Sequence, residues 1–144
     1  MKLDEFKVMW EQDAVVGHDL SKESLNIPIL HSKWLNFLTD LKAYQKSGEF
    51  KLFEEQRRKM RYYKGEMTQT EIDMLGWKQW QGARPLRAEL EELIKTDPDV
   101  VKIQMRLDQY QISIDFVNEV LKMIKDRQWH IRSAIDWQRF MSGS

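Results

Sequence analysis

The 144-residue chain contains no cysteine. That excludes a disulfide framework, a thiolate metal site and a cysteine nucleophile. Three prolines and six glycines are too few for the many turns of an all-β chain. No apolar run approaches the roughly 20 residues of a membrane span, and the N-terminus has no signal-peptide core. The expectation is a soluble, intracellular protein. Net charge is also missing: 23 Lys and Arg balance 23 Asp and Glu. A diffuse attraction to polyanions over the whole surface is therefore not available.

The balance hides a local excess. Residues 42–64 carry eight bases and three acids, while residues 65–99 carry four bases and eight acids. The excess peaks in Arg57-Arg58-Lys59-Met60-Arg61-Tyr62-Tyr63-Lys64, with five bases, no acid and two adjacent tyrosines. Basic residues at the end of a helix can be simple dipole caps. Five in eight exceed that need and point to a surface for a flexible polyanion, foremost single-stranded nucleic acid.

What remains is rich in helix formers, with 42% apolar and 32% charged residues. The fold class predicted is all-α, with long helices in an extended bundle. Leu3, Phe6, Trp10 and Ala14 recur at helical spacing in a short segment that ends by Gly17. Ile27, Leu30, Trp34, Phe37, Leu41 and Tyr44 follow alternating three- and four-residue steps along a long helix. Pro28 suits a first turn capped by Asn26, or kinks a helix that begins near Ser21. Phe50, Phe53 and Met60 extend an apolar stripe past Ser47-Gly48, so the helix is expected to continue to Lys64-Gly65. Tyr63 lies nearer that stripe, which leaves Tyr62 as the candidate for base stacking.

Residues 65–83 read as a connector, with Thr68 or Thr70 capping a turn through Leu75, and Trp77 and Trp80 as loop anchors. Leu86, Leu90, Leu93 and Ile94 mark a short helix with an acidic face. Asp97-Pro98-Asp99 is a start signal: a cap, a first-turn proline and a first-turn acid. The helix it opens carries Val100, Ile103, Leu107, Tyr110, Ile114, Val117, Leu121 and Ile124 in an unbroken seam. A further amphipathic segment with Trp129, Trp137 and Phe140 is expected after Asp126-Arg127. The whole reads as one helical domain over 1–144: N-terminal helices over 1–64, a connector over 65–83 and C-terminal helices over 84–144.

No catalytic constellation emerges. His18, His31 and His130 are far apart and match no metal-ligand spacing. There is no glycine-rich phosphate loop, and no serine stands in a nucleophile elbow. The expectation is a non-enzyme with no cofactor and no metal. Glu54 is placed to pair with Arg58 one turn on, a contact worth a few tenths of a kcal/mol.

Four segments in succession carry a resemblance: Ser32-Lys33-Trp34-Leu35-Asn36, the basic stretch closing in Tyr62-Tyr63-Lys64-Gly65, Asp97-Pro98-Asp99-Val100-Val101-Lys102, and Ile135-Asp136-Trp137-Gln138-Arg139-Phe140. Their order and spacing from about Leu3 to Gly143 resemble the UvsY recombination mediators of large tailed phages. The resemblance implies a non-enzymatic helper of homologous recombination in the cytoplasm of an infected bacterial host. Its implied partners are single-stranded DNA, a RecA-type recombinase, the phage single-strand-binding protein, and itself in a ring-like homo-oligomer (hexamer or heptamer). A basic Lys-Ala-Arg-Leu motif before the tyrosine pair carries DNA binding in that family. Here Arg57 and Lys59 keep the charge but not the identity of its two basic positions, and Arg58 adds a base.

The expected DNA contacts are thus Arg57, Arg58, Lys59, Arg61 and Lys64 to phosphates, and Tyr62 to a base. Ile114, Val117, Leu121, Ile124, Trp137 and Phe140 are the expected oligomerisation residues, since a ring would repeat a weak patch and gain by effective concentration. The alternatives are a helical adaptor that binds only proteins and an RNA-binding helical protein.

Overall fold

The computed structural model describes residues 1–143; Ser144, part of the terminal Ser142-Gly143-Ser144 tail, lies outside the described residues. Among the described residues five helices run in chain order: α1 (Leu3–Asp13), α2 (Leu20–Tyr63), α3 (Gln69–Leu75), α4 (Arg87–Thr96) and α5 (Pro98–Met141). No strand occurs among the described residues, and the all-α expectation holds. None of the helices is long and apolar enough to cross a membrane.

α2 starts at Leu20, in agreement with the earlier of the two expected starts, and Pro28 lies inside the helix rather than in its first turn. The start signal is Asp19, whose carboxylate accepts the Lys22 N–H at 3.2 Å. α5 runs unbroken through Asp126-Arg127, where a separate segment was expected. Nothing there breaks a helix: the flanking residues are good helix formers, and neither glycine nor proline intervenes.

The chain divides into two compact units. The first combines Met1–Tyr44 with Gln109–Ser144. Its core is Phe6, Leu30, Trp34, Leu38 and Leu41 with Ile114, Val117, Val120, Leu121 and Ile124. Trp34 is fully buried, edge-on to Trp10 and Phe37. Burying so large a ring would strand its N–H, and Asp13 answers by accepting it at 3.0 Å. The same carboxylate holds Lys33 at 2.8 Å. Arg127, itself buried, donates to the backbone carbonyl of Asp13 at 2.7 Å. That satisfies one of the orphan carbonyls at the end of α1 and places a cation where the helix dipole favours one.

The second unit is Gln45–Asp108. Tyr63, Leu90, Ile94 and Val100 form its core, with Leu52, Tyr62, Trp80 and Leu93 packed against them. Gly48 has a packing reason. A Cβ there would come within 2.6 Å of the Leu107 side chain, so the missing side chain is what lets α5 lie close.

Candidate nucleic-acid interface

The basic stretch forms the last two turns of α2, as its sequence signals predict. Gly65 ends the helix with φ +72°, a left-handed conformation that costs glycine nothing. The Glu66 N–H reaches back to the Arg61 carbonyl at 2.9 Å and closes the cap. Thr68 then starts α3, its hydroxyl accepting the Glu71 N–H at 3.2 Å.

The eight residues of the stretch do not share one fate. Arg57 is exposed and Lys64 half-buried; neither has an ion-pair partner among the described residues. Arg58 is half-buried and pairs with Glu55 at 3.0 Å, not with Glu54 as the sequence suggests. Glu54 is exposed, whereas Glu55 is half-buried beside the arginine. Arg61 grips Glu71 of α3 with two contacts, at 2.9 and 3.0 Å. The hydrogen bond from Arg61 holds the Glu71 carboxyl below its ordinary 4.5, although partial desolvation acts the other way.

Lys59 is the departure. The sequence puts it among the phosphate contacts, but it is 6% exposed and already engaged. Its ammonium lies 2.8 Å from Asp99 and 3.3 Å from Asp97. It also lies 3.8 Å from the centre of the Trp77 ring. Burial alone would pull its pKa down; the hydrogen bond to Asp99 and the charges of Asp97 and Asp99 overcome that and raise it. Asp97 serves both sides of this knot. One oxygen caps α5 through the N–H groups of Asp99 (3.0 Å) and Val100 (3.4 Å). The other accepts Lys59 and the Tyr63 hydroxyl, the latter at 2.7 Å. Burial first, and the bond to Asp97 second, push the Tyr63 phenol well above its usual range.

The tyrosine pair is committed as well. Tyr63 is buried, in line with its expected core role. Tyr62 meets Tyr63, Trp77 and Trp80 edge-on, at centroid distances of 5.2, 5.3 and 6.5 Å. Its hydroxyl donates to the Lys78 carbonyl. Trp77 and Trp80 thus anchor the connector, as expected, and Tyr62 is what they anchor it to.

Sequence reasoning missed a different aromatic pair. Phe50 and Phe53, expected in the apolar stripe of α2, are 64% and 68% exposed. The buried row of α2 runs instead through Leu41, Gly48, Leu52, Lys59 and Tyr63, in whole or in part. At about 100° per residue that row lies on the side of the helix away from Phe50 and Phe53. The exposed face carries Lys46, Phe50, Phe53, Arg57 and Met60 at alternating four- and three-residue steps, and half-buried Lys64 continues the row just past the helix end.

The expected oligomerisation residues fall into two groups. Ile114, Val117, Leu121 and Ile124 are buried in the core of their own unit. Trp137 and Phe140 are 62% and 74% exposed and stack on each other at 5.6 Å.

Comparison with known proteins places the chain and its fold. The family model described as recombination, repair and ssDNA binding protein UvsY matches residues 9–144. A curated relative, recombination protein uvsY of Enterobacteria phage T4, is 26% identical over 144 residues, covering 99% of each chain. Two crystal structures of the bacteriophage T4 recombination mediator protein UvsY share the fold. One has a TM-score of 0.84 at 24% identity, covering 99% of this chain and 98% of that one. The other has a TM-score of 0.82 at 25% identity, covering 98% and 99%.

Proposed function

The chain belongs to the UvsY family of recombination, repair and single-stranded-DNA-binding proteins, and from that premise we propose that it is a non-enzymatic recombination mediator. It binds single-stranded DNA and helps a RecA-type recombinase assemble on strands already covered by a single-strand-binding protein. The observation that carries this reading is the basic end of α2. There Arg57 and Lys64 offer cations that no carboxylate among the described residues neutralises. Arg58 and Arg61 stand beside them with ion pairs at least partly open to solvent. Lys59 and Tyr62 act as supports that hold the helix end and the connector in place. One such patch makes few phosphate contacts, so affinity comes from repeating it in a homo-oligomer. The exposed Trp137–Phe140 pair is the proposed self-association surface, and the 114–124 seam belongs to the core of its own unit. A ring that wraps a strand favours single-stranded over duplex DNA, because duplex resists bending.

The test uses Arg57→Glu with Lys64→Glu, two positions whose charge reversal breaks no ion pair. Binding to a labelled oligonucleotide should weaken, and the dependence of log affinity on log salt should flatten by about 0.7 per lost contact. The same variant should fail to restore recombinase ATPase activity on strands precoated with single-strand-binding protein. A folded variant that binds and mediates like the parent would refute the assignment. RNA bound as tightly as DNA, or no nucleic acid bound at all, would turn the reading to the RNA-binding or protein-adaptor alternatives.

A further inference from the structure

The exposed face of α2 explains something the basic patch alone does not. Phosphate contacts attract any polyanion, yet a single strand also presents flat apolar bases that need a partner. Tyr62 cannot supply one, because its ring is packed against Tyr63, Trp77 and Trp80 and its hydroxyl is bonded to the connector. Phe50 and Phe53 are free to do so: neither ring meets another aromatic ring among the described residues.

We propose that Phe50 and Phe53 are a base-stacking platform, and that the single-strand track runs along α2 from Lys46 to Lys64. This rests on the nucleic-acid reading above and extends it by three helical turns. Taking 100° per residue, Lys46, Phe50, Phe53, Arg57, Arg61 and Lys64 fall within an arc of about 80°. Every charged residue in the arc is a cation. Glu49 and Glu54 lie outside it; Glu49 pairs weakly with Lys46 at 3.5 Å, with both side chains exposed. The track is about 27 Å long, at 1.5 Å per residue. That accommodates at most about eight nucleotides at the stacked spacing of 3.4 Å.

Charge complementarity selects the occupant. An apolar face meant for a second copy of the same face would bring four cations against four cations. A single strand offers alternating anions and planar apolar groups, which match the cation–phenylalanine–cation order along the helix. The face also continues directly into the basic patch, with Arg57 belonging to both.

The experiment is a binding titration of the full chain with Phe50→Ala/Phe53→Ala, using labelled oligo-dT and an abasic strand of equal length. Urea unfolding of the double variant checks the fold; these rings contribute little to the core. Affinity for oligo-dT should fall about five- to 150-fold per ring engaged, with an unchanged salt slope because no phosphate contact is lost. Affinity for the abasic strand should not change. Phe50→Trp and Phe53→Trp should keep binding, and their fluorescence should be quenched by oligo-dT. Equal loss on both strands, or oligo-dT affinity within twofold of the parent, overturns the proposal. A changed oligomeric state of the double variant without DNA also overturns it and assigns the face to a second copy. If the phenylalanine variants bind normally while Arg57→Glu/Lys64→Glu does not, the platform fails and the basic patch stands. If neither set affects binding, the patch itself fails.

Discussion

Replacing Lys59 with methionine separates two roles that sequence alone conflates. Lys59→Met keeps the apolar stem and removes the ammonium. Asp97, 3% exposed, is then left in the interior without its counter-ion. Breaking a buried pair from one side costs about 3–5 kcal/mol. The lower part of that range applies, because Asp97 keeps the Tyr63 hydroxyl and two backbone N–H groups as donors. Asp99 adds little, since its side chain is 56% exposed and rehydrates. The lost cation–π contact with Trp77 adds on the order of 1 kcal/mol. The sum is about 4 kcal/mol out of a typical 5–15. With a urea m-value of about 1–3 kcal/mol/M, the midpoint should drop by about 1–4 M. Asp97→Asn removes the stranded charge while keeping a cap, so Lys59→Met/Asp97→Asn should be more stable than the sum of its parts by about 1–3 kcal/mol. Unfolding should be followed at fixed protein concentration, because self-association shifts apparent stability. A Lys59→Met midpoint within about 0.3 M of the parent, with a salt slope flattened by about 0.7, would refute the structural role and return Lys59 to the phosphate contacts.

The same knot predicts alkaline sensitivity. Lys59 and Tyr63 both have raised pKa values when folded, so their stabilisation is complete below the ordinary values of 10.5 and 10.0 and is lost as pH climbs through the folded ones. Urea midpoints should be level from neutrality to about pH 10 and fall above it, with a smaller fall in Lys59→Met; an equal fall would count against the knot. Glu71→Gln releases Arg61 from a carboxylate that competes with phosphate. Single-strand affinity should rise and its salt slope steepen by about 0.7; weaker binding would mean that the pair positions Arg61 productively. Trp137→Ser/Phe140→Ser should leave the subunit folded, because both positions are exposed, while shifting sedimentation toward smaller species and lowering the apparent unfolding midpoint with the lost self-association. An unchanged sedimentation profile would exclude that pair from self-association.

Local signals were legible wherever a backbone end needs a particular residue. Thr68, Gly65 and Asp97-Pro98 each do in the structure what their types require, because a cap is decided within four residues. The seam from Ile114 to Ile124 was legible as apolar periodicity, but periodicity does not say whether a seam meets its own chain or another. It meets its own. The failure at Phe50 and Phe53 has a definite cause. Apolar type was taken to mean the buried face, yet the buried row in this part of α2 includes Gly48 and Lys59, kept there by Leu107 and by Asp97 with Asp99. Those partners are about 60 and 40 residues away in sequence, so no local window could reveal them. The packing of Tyr62 was not legible for the same reason: it depends on a connector whose two tryptophans were read as anchors but without their docking point.

The division of the first unit into two chain segments has a consequence for how the protein is made. Trp34 and Leu41 belong to a core whose other half begins at Ile114. A ribosome adding about 5–20 residues per second needs roughly 4–15 s to get from one half to the other. By the end of that interval the unit formed by Gln45–Asp108 has all its chain and can close on itself from contiguous residues, whereas the ring of Trp34 still lacks its partners from Ile114 to Ile124. α1, translated first, receives its last fastening only when Arg127 emerges and reaches the Asp13 carbonyl, 114 residues behind it.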